Sequence, residues 1–200
     1  MSRKEQATNS RAGLIAAARG CFAADGYEPT TVASILSAAG MARGALYHYF
    51  PGGKREIFDA VFDELNDGYH RQRDAAAGEK SPLARIIAGM RAFLVCCTRS
   101  DFAQIVLVDG PRVIPGQAGP GSSYRRLVEE LDAAVAAREI DPIDTSLMAM
   151  ILHGAVRSAG EHVVGSRDRA AAVAAAGDSV QLLVEGLRRR STAQRRKVSR

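Results

Sequence analysis

The sequence is short of sulfur, of long apolar runs and of strand signals, and each shortage removes a class of protein. Three cysteines in 200 residues make an odd count with no CxxC or Cys/His spacing. That predicts reduced thiols, no disulfide framework and no metal site. No apolar stretch approaches the roughly 18–20 residues that a membrane span requires; the longest, Ala170–Gly177, ends at Asp178, so no membrane partner is expected. The amino-terminal MSRKEQATNS is polar and lacks an apolar h-region, which makes a cytoplasmic location the expectation. No GxSxG, HExxH, phosphate loop or dinucleotide fingerprint occurs, which argues against an enzyme and against a bound cofactor.

Apolar residues make up 46% of the chain and charged residues 24%, ordinary values for a folded globular protein. The net charge of +5 is unevenly spread. Residues 1–55 hold seven basic and three acidic side chains, residues 56–187 thirteen and nineteen, and residues 188–200 seven and none. A basic amino-terminal segment on an acidic body suggests that the two parts meet different partners. The terminal RRRSTAQRRKVSR has no apolar periodicity. It reads as a disordered tail that either aids solubility or adds nonspecific attraction to DNA.

Helical periodicity recurs nearly everywhere, predicting an all-α fold of about nine helices. Leu14, Ile15, Ala18, Cys21 and Phe22 share one helix face, and Gly26 follows as a stop. Thr30 is the expected N-cap of a short helix burying Val32, Ile35, Leu36 and Ala39. After a turn at Gly40 a second short helix runs from about Ala42 to Tyr49. Beyond Pro51-Gly52-Gly53 a long helix opens near Lys54, with Ile57, Val61, Leu65 and Tyr69 on one side. Ser81-Pro82 reads as N-cap and first turn of a helix with Leu83, Ile86, Ile87, Met90, Leu94 and Cys97 on its apolar stripe. Residues 109–123 hold four glycines and three prolines and read as a long loop. Tyr124, Leu127, Val128, Leu131 and Val135 mark another helix. Asp141-Pro142 starts the next, with Ile143, Leu147, Met150 and Ile151 inside. Val173, Ala176, Val180, Leu183 and Leu187 mark the last. Cys96-Cys97 is either a thiol sensor or packing; adjacent helical residues point about 100° apart, so at most one is expected on the stripe.

Two short helices joined by a glycine turn behind a supporting helix form the arrangement of a helix-turn-helix. Leu46 and Phe50, four apart, face the core. Arg43, Ala45, Tyr47 and His48 are left for a DNA groove, flanked by Tyr49 and Lys54. The stretch FAADGYEPTTVASILSAAGMARGALYHYFPGGKREIFDAV resembles the DNA-binding signature of TetR-type transcriptional regulators. The likeness covers residues 10–62 and is specific as a combination: F-x-x-x-G-Y, T-T-V, A-A-G, G-x-L-Y-x-Y-F and K-x-x-I/L. Ala42 replaces a frequent serine, Ala33 a frequent arginine and Tyr49 a frequent histidine, and Gly52-Gly53 adds one residue.

The resemblance implies a DNA-binding domain over 1–53, a ligand-sensing and dimerisation domain over 54–188, and a tail over 189–200. It implies that Arg43 reads a base edge, that Ala45 touches a thymine methyl and that Gly44 lets the helix approach DNA. Thr31, Tyr47, Tyr49 and Lys54 would hold phosphates. One such module reads few base pairs, so a homodimer on a palindromic operator is expected. Its interface is expected at Leu147, Ile151, Gly154 and Ala155 on one helix and Val180, Leu183 and Leu187 on the other. Tyr69, Met90, Leu94, Cys97 and Arg157 are the expected lining of an effector cavity. Asp109, Arg112 and His153 are further candidates for the ligand, each with a plain structural alternative. The expected activity is repression relieved by a small ligand; the alternative is an activator or protein-partnered regulator on the same scaffold.

Overall fold

A computed structural model describes residues 3–78, 80–114 and 122–189. The helices are α1 (Arg3–Asp25), α2 (Val32–Ala39), α3 (Arg43–Tyr49), α4 (Lys54–Ala77) and α5 (Pro82–Cys96). Then α6 (Ser100–Phe102), a π-helical stretch (Ala103–Asp109) and α7 (Gly110–Val113) follow without a break, and α8 (Ser122–Ala136), α9 (Thr145–Gly165) and α10 (Arg169–Glu185) complete the order. With 100–113 counted as one helical run, the described residues hold nine helices, all-α as expected. The β pairing among them is a single bridge between Ile140 and Arg188. No helix among the described residues is long and apolar enough to cross a membrane.

The chain clusters into two compact units, residues 1–71 with 96–118 and residues 72–95 with 119–200. This division differs from a break at residue 53. The reason is the aromatic core of the first unit, which draws in the start of α4. Phe22 of α1 meets Phe58 of α4 edge-on at 5.1 Å between ring centroids, and Tyr27 meets Phe58 at 4.9 Å. Leu14, Ala18, Ile35, Leu46, Phe50, Ile57 and Val61 are buried in the same unit. So are Phe102 and Ile105, which belong to the 100–113 run. That run is also tied to α1 by charge: Arg19 donates from Nε to Asp101 Oδ2 at 2.8 Å, and Arg99 reaches the same oxygen at 3.1 Å.

In the second unit α9 packs against both α8 and α10. Glu130 of α8 is buried and held by Arg85 of α5 at 2.8 Å and Arg126 at 3.3 Å. Arg91 of α5 donates to Asp178 and Gln181 of α10 at 2.8 and 2.9 Å. Gly177 admits that arginine, since a Cβ there would lie 2.7 Å from its Nη1. The pairings of α5 with α8 and α10 have no local sequence signal, whereas Arg126–Glu130 has the i,i+4 spacing of a helix pair.

Several expectations are corrected. The N-cap of α2 is Thr31, which accepts from the Ser34 N–H in a reciprocal capping box. Thr30 is buried and donates to the Gly26 carbonyl at 2.7 Å. Val32 and Ala39 are only half-buried. Residues 110–113 are helical, not loop, while 115–121 lie outside the described residues, as does the basic tail from 190 on. Ser81 stands at the N-cap position of α5, where its carbonyl accepts from the Arg85 N–H at 2.8 Å, and its hydroxyl donates to Glu139 at 3.1 Å. α9 begins at Thr145, capped by Asp144, which accepts from the Leu147 N–H.

The inward faces of the last two helices are also rotated from the expected ones. Ala149, Leu152, Val156, Gly160 and Val163 are buried on α9, whereas Ile143, Leu147, Met150 and Ile151 are exposed. On α10 the buried set is Ala172, Ala176, Gly177, Val180 and Val184, with Leu183 exposed and Val173 and Leu187 half-buried. Both helices are apolar on two sides, and periodicity cannot say which side faces the chain's own core. Cys96 and Cys97 are both buried, because the α-helix ends at Cys96 and the chain turns there.

Asp101 supplies a pH test. Burial opposes its ionisation, but hydrogen bonds from Arg99, Arg19 and the Phe102 N–H outweigh it and hold the carboxyl below its ordinary 3.8. Its contribution to stability is therefore present in full above that value and lost as pH falls through the lower folded pKa. Asp101→Asn should cost about 1–3 kcal/mol in urea unfolding at pH 7. The gap to the unsubstituted protein should shrink as the pH is lowered below 3.8.

Candidate nucleic-acid interface

Three local constraints shape the α2–α3 pair. The Thr31–Ser34 capping box starts α2, with Thr31 Oγ1 accepting at 3.0 Å and Ser34 Oγ accepting from the Thr31 N–H at 3.0 Å. Gly40 ends α2 in the left-handed region at φ 65°, and its N–H bonds back to Leu36 and Ser37 carbonyls. That conformation costs glycine little and other residues more. Leu46 and Phe50 then anchor α3, with 0% and 1% exposure. One face of α3 is thereby committed inward.

The opposite face carries the side chains expected to read DNA. Arg43, Gly44 and His48 are exposed, Tyr47 is 44% exposed, and Ala45 and Tyr49 are half-buried. The His48 and Tyr49 rings meet edge-on at 4.9 Å. With Ser10 of α1 and Met41, residues of this face border a cleft of about 450 Å³. Arg11 of α1 sits over the Phe50 ring at 5.0 Å, adding positive charge at the base of α3. This arrangement is a short, rigidly backed helix presenting an arginine, aromatic hydroxyls and an imidazole outward.

Two of the residues expected to hold phosphates also have partners inside the chain. Lys54 Nζ donates to the Tyr27 carbonyl at 3.0 Å and the Glu28 carbonyl at 3.3 Å, and lies 4.2 Å from the centre of the Tyr27 ring. It fastens the loop between α1 and α2, so two of its three donors are engaged inside the chain. Thr31 likewise has a capping role, although it stands exposed at the start of α2. Ala42 is the N-cap of α3 and makes no side-chain cap bond, the loss expected from its replacing a serine. The added glycine is absorbed: Gly53 takes φ 68°, and Glu56 Oε2 accepts the Gly52 N–H at 2.7 Å as α4 begins.

The expected ligand residues fall in both compact units. Tyr69, Cys97, Asp109 and Arg112 belong to the first, and Met90, Leu94, His153 and Arg157 to the second. Tyr69, Met90, Leu94 and Cys97 are buried. Burial pushes the Cys97 thiol up to about 12, with Cys96 beside it adding to the rise, and burial also raises Cys96. Both therefore stay protonated at neutral pH, unlike a reactive thiolate. Burial, then Arg157, lowers His153; Arg157 itself pairs with Glu161 at 3.1 Å. Asp109 faces the Tyr27 N–H at 2.9 Å, a long-range contact for which the sequence carries no spacing rule.

Of the interface candidates, Leu147, Ile151, Gly154 and Leu183 are exposed and Ala155 and Leu187 half-buried, but Val180 is buried in its own chain. Met150 and Leu182, at 62% and 71% exposure, extend the outward apolar surface. The connection 166–168 is short, so α9 and α10 form an antiparallel hairpin that brings 147–151 beside 182–183.

Comparison with known proteins agrees with this geometry. Residues 14–61 match the family described as bacterial regulatory proteins, tetR family. Residues 83–187 match the one described as tetracyclin repressor-like, C-terminal domain. The HTH-type transcriptional repressor AcnR of Corynebacterium glutamicum is 36% identical over 86 residues, 43% of this chain and 43% of that protein. The alignment thus spans less than half the length of this curated relative. A TetR-family transcriptional regulator from Pectobacterium atrosepticum superposes with a TM-score of 0.74 at 24% identity, covering 95% of this chain and 99% of that one. The structure of AibR in complex with isovaleryl coenzyme A and operator DNA superposes at 0.68 and 21% identity, covering 88% and 98%.

Gly44 gives a test that separates folding from binding. A Cβ added there would meet nothing within 4 Å, so no packing inside the chain requires glycine. Gly44→Ala should stabilise the fold by about 0.5–1 kcal/mol in thermal or urea unfolding. The same variant should bind duplex DNA more weakly in fluorescence anisotropy if the exposed face of α3 that would carry the methyl group is the one that meets DNA.

Proposed function

The chain belongs to the TetR family of bacterial regulatory proteins, and from that membership we propose that it is a homodimeric, sequence-specific DNA-binding repressor released from its operator by a small ligand. The observation that carries the DNA-binding reading is the division of α3 into a buried anchor, Leu46 and Phe50, and an exposed face headed by Arg43. Arginine at the start of a recognition helix suits a bidentate contact with guanine. Tyr47 and Tyr49 suit phosphate oxygens, and the bare backbone at Gly44 suits close approach. Ala45 suits a thymine methyl, and Thr31 and the remaining donor of Lys54 suit the flanking phosphates.

The dimer reading rests on Leu147, Met150, Ile151, Leu182 and Leu183, large apolar side chains left exposed on α9 and α10. A second copy of the same helix pair would cover them as a four-helix bundle, with Gly154 allowing close approach. Two-fold pairing would also give the two recognition helices the symmetry of a palindromic site.

The effector is proposed to be a small molecule taken up within the residues 54–188. AibR, which shares the fold, is known bound to both isovaleryl coenzyme A and operator DNA. To act, the ligand must bind the DNA-incompetent state more tightly than the DNA-bound one.

Sedimentation of the full chain at micromolar concentration should give a dimer, and Leu147→Glu with Ile151→Glu should shift it to monomer; a monomeric unsubstituted protein would overturn the dimer reading. On a duplex selected from random sequence, Arg43→Ala should cost about 1–3 kcal/mol and relax preference at one position of each half-site. Equal loss on selected and random DNA would remove the base-reading role from Arg43.

A further inference from the structure

Asp109 is a buried carboxylate, 8% exposed, at the end of the π-helical stretch. Its Oδ2 accepts from the backbone N–H of Tyr27 at 2.9 Å and from Gln104 Nε2 at 3.0 Å. Residues five apart lie about 140° apart around an α-helix; the wider π turn, bonded from i to i+5, brings Gln104 and Asp109 to one side. The π geometry therefore builds the amide–carboxylate pair that grips Tyr27.

Tyr27 is held at its N–H, its carbonyl and its ring. Its N–H is bound by Asp109, its carbonyl accepts from Lys54 at 3.0 Å, and its ring lies between Lys54 and Phe58. It follows Gly26, which turns the chain at φ 81° out of α1 and toward α2. A Cβ at Gly26 would come within 3.2 Å of Gln104 Nε2 and 3.6 Å of Asp109 Oδ2, so the glycine also makes room for the grip. The far side of the grip is fixed as well. A Cβ at Gly110 would lie 2.5 Å from Phe62 Cε2, which sets the end of the π stretch tightly on α4. At the other end of the run Arg19 binds Asp101.

We propose that Asp109 is a positioning residue for DNA recognition: by fixing Tyr27 it sets the orientation in which α2 and α3 leave α1 and meet the duplex. The proposal rests on the DNA-binding dimer reading above. In such a dimer the separation of the two α3 helices follows from how firmly each head is held. A firmly held head accepts one half-site spacing; a loosened head accepts several. A residue that served stability alone would lower affinity on every spacing alike.

The test uses the full chain, the duplex that the unsubstituted protein selects from a random library, and versions of it with one base pair added to or removed from the centre. The unsubstituted protein should prefer its own spacing by roughly tenfold or more. Asp109→Ala should narrow that preference to about threefold or less while dimerisation and helical circular dichroism persist. Asp109→Asn, which keeps an oxygen for both N–H donors, should restore it. Gln104→Leu, which removes one donor without deleting the carboxylate, should also narrow the preference and carries the test if Asp109→Ala does not fold. Unchanged spacing preference in the folded variants would overturn the positioning role, with the DNA-binding reading intact. Failure of the unsubstituted protein to select any duplex would overturn that reading and the proposal with it.

Discussion

The edge-on packing of Phe22 and Tyr27 on Phe58 is the joint on which the first unit depends. It brings together the end of α1, the turn toward α2 and the start of α4, three segments that must be fixed together if a short helix is to be aimed at anything. Each aromatic pair of this kind contributes about 0.5–1.5 kcal/mol beyond its buried area. The larger effect is geometric. Once Tyr27 is seated, its carbonyl stands where Lys54 can reach it and its N–H where Asp109 can. A hydrophobic contact thus places two charged groups, and these narrow the orientation that the hydrophobic contact alone would leave loose.

The helices were legible because their signals are local. Glycine after α1 and α2, the Leu46–Phe50 pair and the Ile57, Val61, Leu65 and Tyr69 stripe all read directly, and all four stripe residues are buried. The outward face of α3 followed from its inward one. Contacts between distant residues were not legible. Nothing near Asp109 in the sequence marks it as a partner of Tyr27, and a Gly-Pro step after it reads as loop although residues 110–113 are helical. Lys54 reads as a surface cation in the pattern, yet its chain folds back on two carbonyls.

The last two helices show a different limit. A helix apolar on one side declares its orientation, whereas α9 and α10 are apolar on two. Leu147, Met150 and Ile151 had the spacing of a core stripe, but Ala149, Leu152 and Val156 occupy the core. With that core filled, Leu147, Met150, Ile151, Leu182 and Leu183 remain outside, the distribution expected where a second apolar partner completes the packing. The charge pattern fits the same division of labour. Residues 1–55 carry an excess of basic side chains and residues 56–187 an excess of acidic ones, so phosphate attracts the head and repels the body.

The central claim is that α3 of two identical chains reads DNA with two-fold symmetry. Hydroxyl-radical footprinting of the full protein on a duplex it has selected tests this most directly. The account predicts two protected patches related by a dyad, their centres one helical turn of about 10 base pairs, or a multiple of it, apart. A single protected patch, or uniform protection without sequence preference, would contradict it.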